Sequence, residues 1–262
     1  MSPSTNPFVG YELMTSDATA AEAFYRSVIG WKTADAGMPG MPGMTYTLLS
    51  VGETAIAGLM NLPAEASAAG AQPGWLGYIA VDDVDARLAQ LLQAGGAVHH
   101  PAQDIPGVGR SATVADPQGA VFCLFKGNSD EPPLQPEAGT PGTMGWHELY
   151  AGDLDSAWAF YSALFGWTQD EAIDMGERGV YQLFAAGAGS PAIGGMITRP
   201  PEVPQPCWLY YVNVEAIDAA AARVSAAAGQ VVSGPMEVPG GSWIVQCLDP
   251  QGAMFAMVAP KR

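Results

Sequence analysis

Two glutamates, Glu12 and Glu148, occupy equivalent places in an internal repeat and are the best candidates for acid–base chemistry. Glu12 lies in the tetrapeptide Gly-Tyr-Glu-Leu, and Glu148 lies in Trp-His-Glu-Leu, 136 residues later. A carboxyl group in an apolar surrounding has a raised pKa, which suits a general base. The alternative hypothesis is structural: each glutamate accepts hydrogen bonds from a backbone amide, a tyrosine or an arginine and so fixes its strand. Arg110 is a candidate partner in the first repeat, but the aligned residue of the second repeat is Trp243.

The cysteines and histidines do not follow a disulfide or metal-binding pattern. Cys123, Cys207 and Cys247 are irregularly spaced and include no Cys-x-x-Cys pair, so we expect small buried hydrophobic residues. The two histidines at positions 99–100 follow a helical pattern and precede a proline, and we expect them in an exposed loop.

The repeat covers nearly the whole chain. Motifs of the first half recur at an offset of 136 residues: Asp17, Phe24-Tyr25 and Gly30-Trp31 return as Asp153, Phe160-Tyr161 and Gly166-Trp167. Later motifs recur at an offset of 133: Trp75 and the Asp-Pro-Gln-Gly of 116–119 return as Trp208 and 249–252. Because this period is about the size of a domain, we predict two homologous domains in tandem, at residues 1–127 and 141–262. Residues 128–140 are rich in proline and acids and are predicted to form an extended linker.

Each repeat is predicted to contain two halves, each with a strand, a helix and further strands. In the first half, apolar residues at helical spacing predict a helix that begins at Asp17 or Asp153 as N-cap and ends at Gly30 or Gly166. In Asp-Pro-Gln-Gly, the aspartate, proline and glycine stand where a type I turn prefers them, which predicts a hairpin between the last two strands.

Charge and hydropathy exclude several classes of partner. The 262 residues include 10 Lys and Arg against 26 Asp and Glu, for a formal net charge of −16, so nucleic acid would be repelled. No basic leader and no run of about 18 apolar residues is present, which predicts a soluble, cytoplasmic protein without a membrane partner. A homodimer is left open.

The order of elements and the repeated motifs resemble the vicinal oxygen chelate superfamily, which includes glyoxalase I, bleomycin-resistance proteins, fosfomycin-resistance enzymes and extradiol dioxygenases. The resemblance rests on Asp, Phe-Tyr and Gly-Trp around the first helix and on Asp-Pro-x-Gly in the last hairpin, and it covers the chain except the linker. It implies an α+β fold of two tandem glyoxalase-like domains, each with two paired βαβββ modules whose curved sheets enclose a cleft. Function has to be argued from the site.

The resemblance also implies where a divalent metal would be held. The corresponding positions are Gly10, Leu76 and Cys123 in the first repeat and Trp146, Leu209 and Ala256 in the second. Only Cys123 could bind a metal, and it lacks His or carboxylate companions. We therefore expect no metal and no cofactor.

If positions 10 and 146 face the clefts, the two-residue period of a strand turns Glu12 and Glu148 inward as well. On the same argument, further residues are expected to line the clefts: Tyr78 and Tyr210 beside Leu76 and Leu209, with Trp75, Trp208 and Trp243 near the mouths. Gly10 leaves room in the first cleft where Trp146 fills the second, and His147 should point away from it.

Three functions remain open. The first is a metal-free protein, like the bleomycin-resistance branch, that binds a small apolar or aromatic molecule through Gly10, Leu76, Tyr78, Arg110, Cys123, Trp146 and Tyr210. The second is an enzyme of lyase or dioxygenase type with unusual metal ligands, or with acid–base catalysis by Glu12 or Glu148. The third is a structural role with vestigial clefts.

Overall fold

The computed structural model describes residues 5–37, 45–129 and 136–262, and within them the two repeats have the same element order. The first repeat contains β1 (Phe8–Thr15), α1 (Ala18–Val28), β2 (Lys32–Asp35), β3 (Thr47–Val51), β4 (Thr54–Asn61), α2 (Ala64–Ala68), β5 (Gly74–Ala80), α3 (Val84–Gln93), β6 (Ala97–Ile105), β7 (Gly109–Ala115) and β8 (Val121–Gly127). The second contains β9 (Met144–Ala151), α4 (Leu154–Phe165), β10 (Thr168–Asp174), a 3₁₀ turn (Gly176–Arg178), β11 (Val180–Ala185), β12 (Ala192–Thr198), β13 (Cys207–Asn213), α5 (Ile217–Ala226), β14 (Gln230–Glu237), β15 (Trp243–Leu248) and β16 (Met254–Ala259).

Each repeat supplies one eight-stranded sheet. The strand orders are β2-β3-β4-β1-β5-β8-β7-β6 and β10-β11-β12-β9-β13-β16-β15-β14. The first strand of each half runs parallel to the last, as in β1 with β4 and β5 with β8, because the helix between them is a crossover. The predicted α+β fold with two βαβββ halves per repeat is confirmed.

The predicted caps and turns are confirmed as well. Asp17 accepts a hydrogen bond from the backbone N–H of Ala20 at 3.0 Å, and Asp153 accepts one from Ser156 at 2.9 Å. Helix α4 ends at Gly166, whose φ of 67° is left-handed. In both Asp-Pro-Gln-Gly segments the glycine N–H donates to the aspartate carbonyl at 3.0 Å, which closes the turn.

The chain divides into two compact units that differ from the two repeats. Unit 1 consists of Met1–Gly10, Gly77–Pro132 and His147–Trp208. Unit 2 consists of Tyr11–Leu76, Pro133–Trp146 and Leu209–Arg262. Each unit combines one half of the first repeat with one half of the second. The division into domains 1–127 and 141–262 stays a prediction, and residues 130–135 of the expected linker lie outside the described residues.

A buried hydrogen-bonded chain joins the two repeats in unit 2. The indole N–H of Trp75 donates to the hydroxyl oxygen of Tyr25 at 2.9 Å, and that hydroxyl donates to Oδ2 of Asp249 at 3.2 Å. Trp75 and Tyr25 come from the first repeat, whereas Asp249 belongs to the last hairpin of the second. The helix motif and the turn motif therefore meet across repeats.

Unit 1 contains the equivalent chain with the repeats exchanged. Trp208 donates to the Tyr161 hydroxyl at 3.0 Å, which donates to Asp116 Oδ2 at 3.1 Å. The expectation that Trp75 and Trp208 lie near cleft mouths is wrong, because both are buried as hydrogen-bond donors.

The expectation of a loop at residues 99–100 is also wrong, since both histidines lie in β6 and are exposed. Strand β6 continues past Pro101 because its register with β7 shifts between His100 and Gln103, where a missing N–H is tolerated at a sheet edge. In the described parts of the chain, no helix is both long and apolar enough to cross a membrane.

Candidate functional site

Glu12 is a buried carboxylate held by a tyrosine in unit 2. It is 4% exposed, and the hydroxyl of Tyr46 donates to its Oε2 at 3.0 Å. The β1–β4 register pairs Glu12 with Gly58, and the β3–β4 register pairs Gly58 with Leu48. Because paired residues point to the same face, Glu12 and Gly58 share one face of the sheet, and the Tyr46 ring lies over that glycine.

The second repeat has the same arrangement in unit 1. Glu148 is 8% exposed and pairs with Gly195 of β12, which pairs in turn with Leu183 of β11. The ring of Tyr181 lies over Gly195. Sequence reasoning missed Tyr46 and Tyr181 because their offset is 135 while that of the glutamates is 136, so an ungapped comparison does not align them.

Glu148 has further polar neighbours that Glu12 lacks in sequence. Burial raises the pKa of Cys207 to about 11, and the Glu148 charge contributes to the rise while Arg199 opposes it. Positions 207 and 199 correspond to Gly74 and Pro63 of the first repeat, by the two offsets. Cys207 is thus a protonated thiol at neutral pH, and the two glutamates have different surroundings.

Gly10 and Tyr78 adjoin each other in unit 1. A Cβ placed on Gly10 would lie 3.8 Å from Cβ of Tyr78, an ordinary contact distance, so a small side chain fits there. Tyr78 packs edge-on against Phe125 at 5.9 Å and pairs in register with Cys123. Leu76, two residues before Tyr78 on β5, is half-buried on the same face.

Cys123 is a buried thiol beside a hydroxyl. It is 1% exposed, and its Sγ is 3.6 Å from Oγ1 of Thr113, its register partner on β7. Tyr78, Cys123 and Thr113 thus form a row across β5, β8 and β7.

The equivalent row of unit 2 corrects one prediction. Tyr211, not Tyr210, pairs with Ala256 and is the counterpart of Tyr78. The Gln246 amide donates to the Tyr211 hydroxyl at 2.8 Å. Tyr210 points to the opposite face and packs edge-on against Tyr11 at 5.4 Å, because a one-residue shift in a strand reverses the side chain. Burial raises the pKa of Tyr11 above its ordinary value.

The other predicted residues lie in separate environments. Arg110 donates to Asp85 at 2.8 and 2.9 Å and to Asp104 at 2.9 Å. These aspartates, rather than Glu12, are the carboxylate partners that the structure gives it, and the Arg110 hydrogen bond lowers the pKa of Asp85. Trp146 is half-buried on β9.

His147 is a buried histidine with a satisfied nitrogen. Its ring stacks on Phe8 with centroids 4.2 Å apart, and Nδ1–H donates to the carbonyl of Ile193 at 2.6 Å. Burial lowers the pKa of His147 to about 4, so the ring is neutral at pH 7.

The donor set does not fit the divalent metal that the resemblance implies. The six corresponding positions hold glycine, leucine, cysteine, tryptophan, leucine and alanine. Across residues 5–37, 45–129 and 136–262, no three His, Cys, Asp or Glu side chains come together in a way that could hold an ion. We derive no chemical step through a metal.

Comparison with known proteins places these features in a family context. The family model described as Glyoxalase/Bleomycin resistance protein/Dioxygenase superfamily matches residues 8–124 and 143–257. A Mycobacterium tuberculosis protein provisionally named glyoxylase CFP32 is 36% identical over 250 residues, covering 95% of this chain and 93% of that protein. The anthracycline biosynthesis protein DauV of Streptomyces sp. strain C5 is 30% identical over 259 residues, covering 95% and 91%.

A solved structure has the same fold. The Mn(II)-bound glyoxalase from Novosphingobium aromaticivorans superposes with a TM-score of 0.62 at 17% identity, covering 98% of this chain and 82% of that one.

Proposed function

The chain belongs to the Glyoxalase/Bleomycin resistance protein/Dioxygenase superfamily, and from this premise we propose that it binds a small apolar or aromatic molecule on the face of β1 that carries Gly10 and Glu12. One observation carries the proposal: a buried carboxylate, fixed by the Tyr46 hydroxyl at 3.0 Å, occupies an otherwise apolar strand face. A few fixed polar groups on apolar walls are typical of small-molecule sites.

The class of ligand is suggested by two features. Tyrosine rings stand beside the acid and beside Gly10, and such rings favour flat, partly polar molecules. The similarity to an anthracycline biosynthesis protein points the same way. We therefore choose an anthracycline as the probe.

The test compares two substitutions at Gly10. Gly10→Ala should leave binding unchanged, because its Cβ would meet Tyr78 at 3.8 Å, whereas Gly10→Trp should fill the space and abolish binding. The measurement is fluorescence titration of the anthracycline together with thermal melting, in which ligand at 100 times Kd stabilises by about 2.7 kcal/mol. Trp146→Gly is the matched change in the second repeat and should not weaken this binding. Unchanged affinity in Gly10→Trp would refute the assignment of the site.

Acid–base catalysis is the second candidate, and the duplicated buried glutamates favour it. Glyoxalase and ring-cleavage assays with and without added Mn²⁺, Ni²⁺, Zn²⁺ or Fe²⁺ distinguish the two proposals. Under the binding proposal, no activity accompanies the protein and elemental analysis finds no stoichiometric metal. An activity that Glu12→Gln or Glu148→Gln abolishes, while Gln118→Ala retains it, would replace binding by catalysis.

A further inference from the structure

Gly58 and Gly195 are glycines in strand interiors whose backbones do not require glycine. Neither has the positive φ that restricts a position to glycine. Glycine inside a strand is unfavourable because it loses backbone entropy and packs no side chain. Another reason must account for both.

The reason is the space above each glycine. A Cβ on Gly58 would overlap the hydroxyl and ring carbons of Tyr46, and a Cβ on Gly195 would overlap the ring of Tyr181. The main chain of Tyr46 is itself fixed, because its carbonyl accepts from the N–H of Ala36 at 2.9 Å. The ring therefore cannot keep its position if the neighbouring strand gains a side chain.

The same three residue types recur in the same register in both repeats. Gly58 is the strand partner of Glu12, and Gly195 is the strand partner of Glu148. Other cleft positions have diverged, since Gly10 corresponds to Trp146 and Thr113 to Gln246. Divergence around an unchanged acid, tyrosine and glycine indicates that the three act together.

We propose that Gly58 is a positioning residue for Glu12: it leaves the seat from which Tyr46 donates its hydrogen bond to the carboxylate, and Gly195 does the same for Tyr181 beside Glu148. The inference rests on the proposed role of Glu12 as a ligand contact. It also gives the second repeat a positioned acid, so that Trp146 alone does not make that repeat vestigial.

The test reads the hydrogen bond without any ligand. In protein labelled with ¹³C at tyrosine Cζ, Tyr46→Phe assigns the resonance and Glu12→Gln should shift it. In Gly58→Ala protein, Glu12→Gln should no longer shift it, whereas Gly10→Ala should leave the response intact. A response to Glu12→Gln that persists in Gly58→Ala overturns the proposal.

A double variant separates positioning from a need for glycine in the strand. If Gly58→Ala destabilises the protein or prevents folding, the same change in a Tyr46→Ala background should be tolerated, because the ring it would strike is gone. Equal damage in both backgrounds overturns the proposal. Anthracycline affinity is measured separately: an abolished tyrosine response with unchanged affinity would support the positioning and count against the proposed ligand site.

Discussion

Replacing Tyr161 by phenylalanine should destabilise the protein by about 3 kcal/mol. The hydroxyl is fully buried, donates to Asp116 at 3.1 Å and accepts from Trp208 at 3.0 Å. A hydrogen bond to a charged group contributes about 1.5–3 kcal/mol and a neutral one about 1 kcal/mol. Phenylalanine removes both bonds and leaves a buried indole N–H and a carboxylate oxygen behind, and the cavity is only one oxygen atom in size.

The loss should depend on pH, with a sign fixed by Asp116. Burial raises the pKa of Asp116, while hydrogen bonds from the backbone of Ala120 and Gln118 and from Tyr161 oppose the rise. When the folded pKa exceeds the unfolded one, the stabilisation is fully present below the unfolded pKa and is lost as pH rises through the folded pKa. Removing the Tyr161 donor raises the pKa further, so the destabilisation should grow from about pH 4 to about pH 7.

The assay is urea denaturation of wild type and Tyr161→Phe at several pH values in this range. Tyr25→Phe is the matched variant, since Tyr25 makes the same two contacts with Trp75 and Asp249 and burial raises the pKa of Asp249 as well. A loss below about 1 kcal/mol, or one independent of pH in both variants, would show that the buried chain contributes little net free energy.

Two further predictions concern how the repeats hold each other. The Gln118 side chain makes two 2.9 Å hydrogen bonds to the N–H and carbonyl of Asp153, whereas Oε1 of the equivalent Gln251 is buried without a hydrogen-bond partner among the described residues; denaturation should show Gln118→Ala costing about 1–2 kcal/mol and Gln251→Ala less, and equal losses would contradict this. Residues 1–127 and 141–262, produced separately, should associate when mixed in sedimentation experiments, because each buried Trp–Tyr–Asp chain takes residues from both; two stable, non-associating monomers would contradict the expectation.

The asymmetry of the two glutamines has a local cause. Gln118 reaches the backbone beside Gly152, where a Cβ would lie 2.9 Å from its Oε1. The equivalent position of the first repeat is Ser16, at the offset of 136 residues. A side chain at that position obstructs the amide, so within the described part of the chain Oε1 of Gln251 does not accept the hydrogen bond that Oε1 of Gln118 accepts.

Elements that depend on nearby residues can be predicted from the sequence. The N-cap at Asp17 needs only the N–H groups of the next turn, and the turn at 116–119 needs only its own four residues. Because the chain contains two repeats, each element is also predicted twice, and the two predictions agree on the order of strands and helices.

Contacts between distant segments cannot be predicted in this way. The sequence places Trp75 at a cleft mouth because nothing local shows that Tyr25 and Asp249 approach its indole. It favours Tyr210 over Tyr211 because a strand gives no sign of a one-residue error until its register with β16 is known. Tyr46 gives no signal because its partner Glu12 is 34 residues away.

The residues that identify the fold and those suited to function can be separated by what they contact. Asp116 uses Oδ1 for the backbone of its own turn, at 2.8 and 2.9 Å, and Oδ2 for Tyr161, so one aspartate both shapes a hairpin and fastens the other repeat. Such motifs are fully engaged in the buried frame and leave no group for a ligand. Glu12 differs, because its tyrosine and glycine neighbours are needed neither for a turn nor for a cap. A strand glycine and a buried acid are both unfavourable by themselves, and their recurrence at Glu148 is the reason to look for function there.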